Sequence, residues 1–386
     1  MSRILFVAQR LGLGGSASSL LNMLELLEQS GCKVDLFIME HSGMYLEQAS
    51  RCANLLPEAW RLASSMCEPS TIKRYGLRGL VNRSLLSIKC KISDKKQARE
   101  LIYQKTAENI DGYDVVIAYQ EGAATNFARY IRAKKKIAWV HTIYERFTQN
   151  STHEEMHSLY SEYEKIVCVA PAAVAAFQRG LPEVADRVCL IPNPLNSKRI
   201  IAMSKQPQDD IAFDVENVIV SVGRLSKEKQ YDMAIRAAEK LQTAGISYKW
   251  YIIGDGAEKS NLDLLIKEKK LENRVILLGA RNNPYPIVSR ADVLVISSLY
   301  EAQPMVANEA LILDVPVITT NYPSAMTLVQ CGHNGIICDM SEEGLHFALK
   351  QFFLDAGYQK RLKEGAKDFT YDNTDIIKAF LNMIKF

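Results

Sequence analysis

The stretch Val293-Leu294-Val295-Ile296-Ser297-Ser298-Leu299-Tyr300-Glu301-Ala302-Gln303-Pro304-Met305-Val306-Ala307-Asn308-Glu309-Ala310-Leu311-Ile312-Leu313-Asp314-Val315-Pro316-Val317-Ile318-Thr319-Thr320 contains one complete β-α-β unit. Val293–Ile296 is a short, wholly apolar run, as expected for a strand buried on both faces. A polar loop carrying Glu301 follows. Pro304 suits the first turn of a helix, because its missing N–H would have no intrahelical partner there. The spacing predicts a helix over Met305–Leu313 and the next strand over Pro316–Thr319.

The same rhythm extends in both directions. Val218–Val222, Tyr248–Ile253 and Val275–Leu278 read as strands, with helices over Tyr231–Ala244 and Ser260–Lys269. In the first half, strands are expected at Ile4–Ala8, Lys33–Met39, Val115–Tyr119, Lys136–Val140 and Ile166–Val169, with a helix over Ala17–Ser30. Strands alternating with helices predict parallel, doubly wound sheets covered on both faces. The run from Pro192-Asn193-Pro194 to Asp210 is rich in Pro, Asn and polar residues and separates the halves. The expected fold class is therefore α/β: two Rossmann-like domains, 1–197 and 198–370, facing a central cleft. The amphipathic C-terminal helix, 371–386, is expected to complete the first. Ligands in such sheets bind beyond the carboxyl ends of the strands.

Composition narrows the function classes. The chain has 386 residues, too long for one ordinary core and suited to two domains. It is 48% hydrophobic and 24% charged with net charge +3, so nothing global argues for nucleic acid. Its eight cysteines are scattered, without zinc-ligand spacing, and read as small core residues in a reducing compartment. No signal peptide or membrane-spanning run is evident. A cytoplasmic protein is expected, peripheral on the inner face of the membrane if it touches one.

Three loops carry the chemistry. Gly12-Leu13-Gly14-Gly15-Ser16 lies between a strand and a helix, where glycine lets backbone approach a phosphate and the helix N-terminus attracts anions. Read alone, it would also suit the dinucleotide site of an oxidoreductase. Gly223-Arg224-Leu225-Ser226-Lys227-Glu228-Lys229 places Arg224 and Lys229 where both could reach one diphosphate. In the quoted unit, the amides of Gln303, Met305 and Val306 form an anion site. Glu301 and Glu309 are eight residues apart, about 2.2 helical turns, and each carboxylate can accept two hydroxyl hydrogen bonds. No persuasive Asp-x-Asp metal motif is present. Asp209-Asp210 falls in the linker.

Taken together, these residues resemble the family-4 retaining glycosyltransferases of the GT-B fold. The resemblance rests on Glu301-x7-Glu309, Gly223–Lys229, Ile253–Glu258, Val275–Gly279, Asn283–Tyr285 and Asn308–Thr320, covering about 217–340. The first half is similar to bacterial capsule and exopolysaccharide members through Gly14-Gly15, Tyr113–Gly122 and Trp139-Val140-His141. The resemblance implies donor contacts at Gly14, Gly15, Gly223, Gly254, Ala280, Arg281, Gln303, Pro304, Met305, Val306 and Glu309. It assigns Glu301 to the sugar hydroxyls, Glu309 to the ribose, Arg224 and Lys229 to the diphosphate, and His141 to the neighbourhood of the transferred sugar. Read from the residues alone, His141 fits a core histidine equally well. Two departures stand out. Ala302-Gln303-Pro304 replaces Gly-Phe-Pro, and Asp314 replaces a glycine. The implied reaction moves a hexose or N-acetylhexosamine from a nucleotide-diphosphate sugar, UDP foremost, with no cofactor and no metal.

Acceptor chemistry falls to the first half. Residues 71–105 hold ten basic and two acidic side chains, interleaved with apolar ones. Residues 1–198 carry +5 and 199–386 carry −2. A segment of this kind can dock on anionic lipid, and Lys134-Lys135-Lys136 adds a second cluster. The expected acceptor is a glycan, undecaprenyl-linked, at the membrane surface. Competing readings are a nucleotide-sugar epimerase of the same fold and a non-catalytic membrane-bound glycan-binding subunit.

Overall fold

The computed structural model describes residues 2–12, 14–57, 95–208, 211, 213 and 217–385. Two all-parallel sheets form the two domains. The first contains β1 (Ile4–Ala8), β2 (Asp35–Ile38), β3 (Asn54–Leu55), β4 (Tyr113–Ala118), β5 (Ala133–Val140), β6 (Lys165–Cys168) and β7 (Val188–Leu190), in the order β3-β2-β1-β4-β5-β6-β7. The second contains β8 (Val218–Val222), β9 (Lys249–Ile253), β10 (Val275–Gly279), β11 (Val293–Ile296), β12 (Val317–Thr320) and β13 (Gly335–Cys338), in the order β10-β9-β8-β11-β12-β13. Each sheet starts on an inner strand and builds outward in both directions. The order therefore reverses between β1 and β4, and again between β8 and β11. Each reversal opens a crevice at the carboxyl ends of the strands.

The strands read as continuous apolar runs because both faces are covered. Along β1, Ile4, Phe6 and Ala8 enter one core cluster while Leu5 and Val7 enter the other. Three strands escape the sequence pattern, β3, β7 and β13, and all three are sheet edges. β3 and β7 are short and partly exposed, so they lack the apolar run of a central strand, whereas β13 is largely buried but only four residues long and opens on Gly335. β5 starts three residues earlier than expected, which takes Lys134 and Lys135 into the strand beside Lys136. These lysines do not form the second free basic cluster anticipated above. Lys134 pairs with Asp114 at 2.8 Å, Lys135 with Glu164 at 3.3 Å and Lys136 with Glu162 at 3.9 Å.

After the second domain the chain returns to the first. The helix Thr374–Met383 is shorter at both ends than the expected amphipathic segment. It buries Ile376 and Phe380 in the first domain's core, with the Phe380 ring stacked on Phe6 at 5.9 Å and tilted against Trp139 at 6.2 Å. Lys135 donates to the carbonyls of Met383 (3.1 Å) and Lys385 (2.9 Å), where a cation suits the negative end of a helix. The outgoing and returning segments are tied side to side. The Leu195 N–H donates to Asn373 Oδ1 at 3.0 Å, and Asn373 Nδ2 donates to the Leu195 carbonyl at 2.7 Å.

No helix among the described residues is long and apolar enough to cross a membrane. Of the basic stretch 71–105, only the helix Lys95–Ala107 lies within the described residues, and the remainder, like Asp209-Asp210, Cys67 and Cys90, lies outside them. Six described cysteines are free thiols. Cys168 and Cys338 are buried as expected, whereas Cys331 is exposed. Replacement of Phe380 by alanine removes a wholly buried ring from the first core and is expected to cost about 3–5 kcal/mol. Urea unfolding monitored by near-UV circular dichroism checks this value.

Candidate active site

The loops singled out in the sequence all fall at the two crevices. In the first domain, Gly14 caps and Gly15 opens the helix Gly15–Gln29 directly after β1. Gln120, at the end of β4, bridges the crevice. It accepts from the Gln9 N–H at 2.9 Å and donates to Ser16 Oγ at 3.2 Å. Gly15 stands opposite the helix Met305–Ile312 of the second domain, and a Cβ at Gly15 would lie 3.5 Å from Met305 Cγ.

In the second domain, the loops after β8 and β11 are stitched together. Lys229 forms an ion pair with Glu301, and Ser298 Oγ donates to the same carboxylate oxygen at 2.7 Å. Ser297 Oγ donates to the Lys229 carbonyl at 2.6 Å, and the Leu299 N–H to the Glu228 carbonyl at 2.8 Å. From the end of β12, Thr320 Oγ1 reaches the Ser298 carbonyl and Ser324 Oγ the Glu301 carbonyl, both at 2.6 Å. Lys229 and Glu301 are only 20% and 15% exposed, so solvent screens the pair little. Arg224 is exposed and makes no salt bridge among the described residues. It is a cation available to an incoming anion beside one already engaged.

Glu309 is placed differently from Glu301. It accepts from the Tyr285 hydroxyl at 3.2 Å, with Arg199 and the first domain's Tyr45 close by. Burial raises its pKa to about 7, opposed by Tyr285 and Arg199. Arg199 is itself committed to Glu25 at 3.2 Å. The two glutamates thus occupy separate settings, one paired with a lysine and one half-neutralised against a tyrosine.

Gly254 serves close packing. A Cβ there would lie 1.8 Å from the Gly223 carbonyl oxygen, so only glycine lets the loop after β9 rest on the loop after β8. Gly223 is backed by Tyr231, whose hydroxyl would meet a Cβ at 2.9 Å. Ala280 and Arg281 follow β10 at the same end of the sheet, with Ala280 exposed. Pro304 immediately precedes the first helical residue, which leaves the Met305 and Val306 amides in the first turn.

The Gln303 side chain turns toward the hinge. Its Oε1 accepts from the Asn193 N–H at 2.7 Å and its Nε2 donates to the Tyr371 hydroxyl at 3.4 Å. Tyr371 donates in turn to the Asn193 carbonyl. Asn193 Oδ1 accepts from Ser19 at 2.8 Å, and Ser19 meets the Tyr119 hydroxyl at 2.9 Å. The departure from phenylalanine at this position is thus used to join the domains. His141, at the end of β5, has its Nε2 3.0 Å from the Tyr119 carbonyl and the Asn193 side chain beside its ring. Burial pushes its pKa down to about 4, so the ring is neutral near pH 7. Tyr285, Arg199, Asn193 and Tyr371 carried no role in the sequence reading. The Asn283–Tyr285 motif and the Pro-Asn-Pro linker marked two of them without indicating a partner.

Residues 203–369 match the family described as Glycosyl transferases group 1. The match falls within the second domain and takes in the loops that carry Arg224, Lys229, Glu301 and Glu309. Over the whole chain the two facing parallel-sheet domains are those of the GT-B fold. HepE from Anabaena, in complex with UDP and glucose, covers 100% of this chain and 99% of its own with a TM-score of 0.73 at 16% identity. A TarM structure from S. aureus, with UDP bound, covers 100% of both chains with a TM-score of 0.72 at 14% identity. A Campylobacter jejuni protein named N-acetylgalactosamine-N,N'-diacetylbacillosaminyl-diphospho-undecaprenol 4-alpha-N-acetylgalactosaminyltransferase is 34% identical over 167 residues, 42% of this chain and 45% of that relative. The Rhizobium meliloti lipopolysaccharide core biosynthesis glycosyltransferase LpsE is 29% identical over 193 residues, 47% and 55% of the respective chains. The chain spans about half the length of these curated relatives.

The raised pKa of Glu309 has a defined sign. Ionisation at this site is disfavoured in the folded protein, so stability is lost as pH rises from the ordinary glutamate range, near 4.5, through about 7. Glu309→Gln is expected to match the parent near pH 4.5 and to exceed it at pH 8, by roughly 3 kcal/mol. Thermal unfolding at the two pH values measures the difference.

Proposed function

We propose that this protein is a retaining, metal-independent glycosyltransferase. It transfers a hexose or N-acetylhexosamine from a UDP sugar to a lipid-linked glycan acceptor in bacterial surface polysaccharide synthesis. The observation that carries the reading is the shielded Lys229–Glu301 pair at the second crevice, with Arg224 exposed beside it and the Met305–Ile312 helix N-terminus opposite Gly15. The bound UDP of the structural neighbours and the undecaprenol in the name of the Campylobacter relative support the donor and acceptor classes.

The mechanism follows from the charges. An entering diphosphate draws Lys229 and Arg224 to its oxygens, and the helix amides of Met305 and Val306 add donors without reorganisation. Glu301, released from sole pairing with Lys229, accepts hydrogen bonds from the sugar hydroxyls and favours the positive charge that builds on the ring. Glu309 accepts from the ribose. The acceptor oxygen approaches on the leaving-group side, and its bond to the anomeric carbon forms as the bond to the diphosphate oxygen breaks. The acceptor proton passes to that phosphate oxygen, so configuration is retained and no protein base is consumed. Neutral His141 lies at the cleft face of the first domain as a hydrogen-bonding partner for the sugar.

Glu301→Ala and Lys229→Ala are each expected to lower turnover about 10²–10³-fold while the protein stays folded. A donor screen that reads nucleotide release, paired with thermal unfolding, tests both, and full activity of the two variants would sink the assignment. The basic stretch 71–105 is expected to carry the protein to anionic vesicles at low salt and release it at high salt. Flotation with and without anionic lipid decides this, lipid-independent behaviour counting against a membrane role.

A further inference from the structure

The carboxyl ends of β4, β5 and β6 meet at a polar corner of the first domain that none of the roles above uses. Glu121 sits there, one residue before Gly122, whose φ of +85° turns the chain sharply out of the sheet. Its Oε2 accepts from the His141 N–H at 3.0 Å. The carboxylate is half-buried, and no lysine, arginine or histidine forms a salt bridge with it among the described residues. Beside it stand the Cys168 thiol and the Tyr160 hydroxyl. The Tyr160 hydroxyl is wholly buried and has no hydrogen-bond partner. A carboxylate offers about four acceptor positions, and the two backbone N–H groups that reach it, those of His141 and of Glu121 itself, leave others unused. A buried hydroxyl without a partner next to an unpaired carboxylate is costly in a structure that serves only itself.

This corner also faces the donor side. The short helix Tyr144–Phe147 follows His141, and its Arg146 guanidinium lies 3.5 Å above the ring of Tyr300, the residue before Glu301. That contact draws the ends of β4 and β5 toward the Glu301 loop.

We infer that Glu121 is an acceptor-binding residue, its carboxylate accepting from a sugar hydroxyl adjacent to the one that attacks. The inference rests on the glycosyltransferase reading and adds the acceptor contact to it. Binding the neighbouring hydroxyl leaves the attacking one free to give its proton to the phosphate. It selects acceptors that present two adjacent hydroxyls in the cleft.

Glu121→Gln separates this role from support of the fold. The amide oxygen can still accept from the His141 N–H, while the amino group presented to the ligand cannot accept at all. UDP release is measured from UDP-glucose, UDP-N-acetylglucosamine and UDP-N-acetylgalactosamine, alone and with octyl α-glycosides of glucose, galactose and the two N-acetylhexosamines. The expected result is a rise of about 10- to 100-fold in acceptor KM. The UDP-induced thermal shift and the acceptor-independent release stay unchanged. Unchanged acceptor KM beside normal transfer overturns the inference alone, as does release that no glycoside stimulates in either protein. Absence of both UDP shift and release in the parent overturns the glycosyltransferase reading beneath it. If Glu121→Gln fails to fold, Glu121→Asp decides by the same acceptor KM, its shortened carboxylate being drawn back from the ligand.

Discussion

The architecture depends on the return of the chain to its first domain. Two sheets with crevices at their carboxyl ends need not face each other, since a single linker leaves their orientation free. Here the chain crosses between domains twice, and the two crossings are bonded together through Leu195 and Asn373. The second crossing ends with Phe380 against Phe6 and Trp139 in the first core. With both crossings held, the crevice at β1/β4 is set opposite that at β8/β11, and Gly15 comes within contact range of Met305. The candidate site depends on that alignment, because neither crevice contains all of its groups.

Electrostatics within the cleft follow the same division. The second domain supplies the charged groups, with Lys229 and Glu301 neutralising each other while Arg224 stays exposed. The first domain supplies glycine backbone, a neutral histidine and the unpaired Glu121. Between them runs a chain of uncharged hydrogen bonds, Gln303 to Asn193 to Ser19 to Tyr119. It connects the loop that carries Glu301 to the strand end beside His141. Burying polar groups is affordable at this seam because each of these side chains meets a partner.

The central strands were legible in the sequence because they are apolar throughout, and the glycine and charged loops were legible because strand-to-helix turns place them at one end of a sheet. Edge strands β3 and β7 were not, since exposure removes the continuous run, and β13 was not because its buried run is only four residues long and opens on a glycine. Lys134–Lys136 resembled a solvated basic patch because sequence cannot show that Asp114, Glu162 and Glu164 come from other elements to meet them. The spacing of Glu301 and Glu309 was legible as one carboxylate before the helix and one along it, whereas their different settings arise from partners distant in sequence, Lys229 for one and Tyr285 for the other. Gln303 gave no sign of its hinge contacts, which depend on Asn193 and Tyr371 converging from opposite ends of the second domain.

The returning helix also has a consequence for biosynthesis. Domains generally fold as units in the order in which they leave the ribosome. Here the first core lacks Ile376, Phe380 and Ile384 until the second domain has been translated in full. The second domain has every strand and helix of its own sheet in hand by then. The natural order is therefore reversed: the later-made half can fold first, and the earlier-made half waits with one apolar face uncovered.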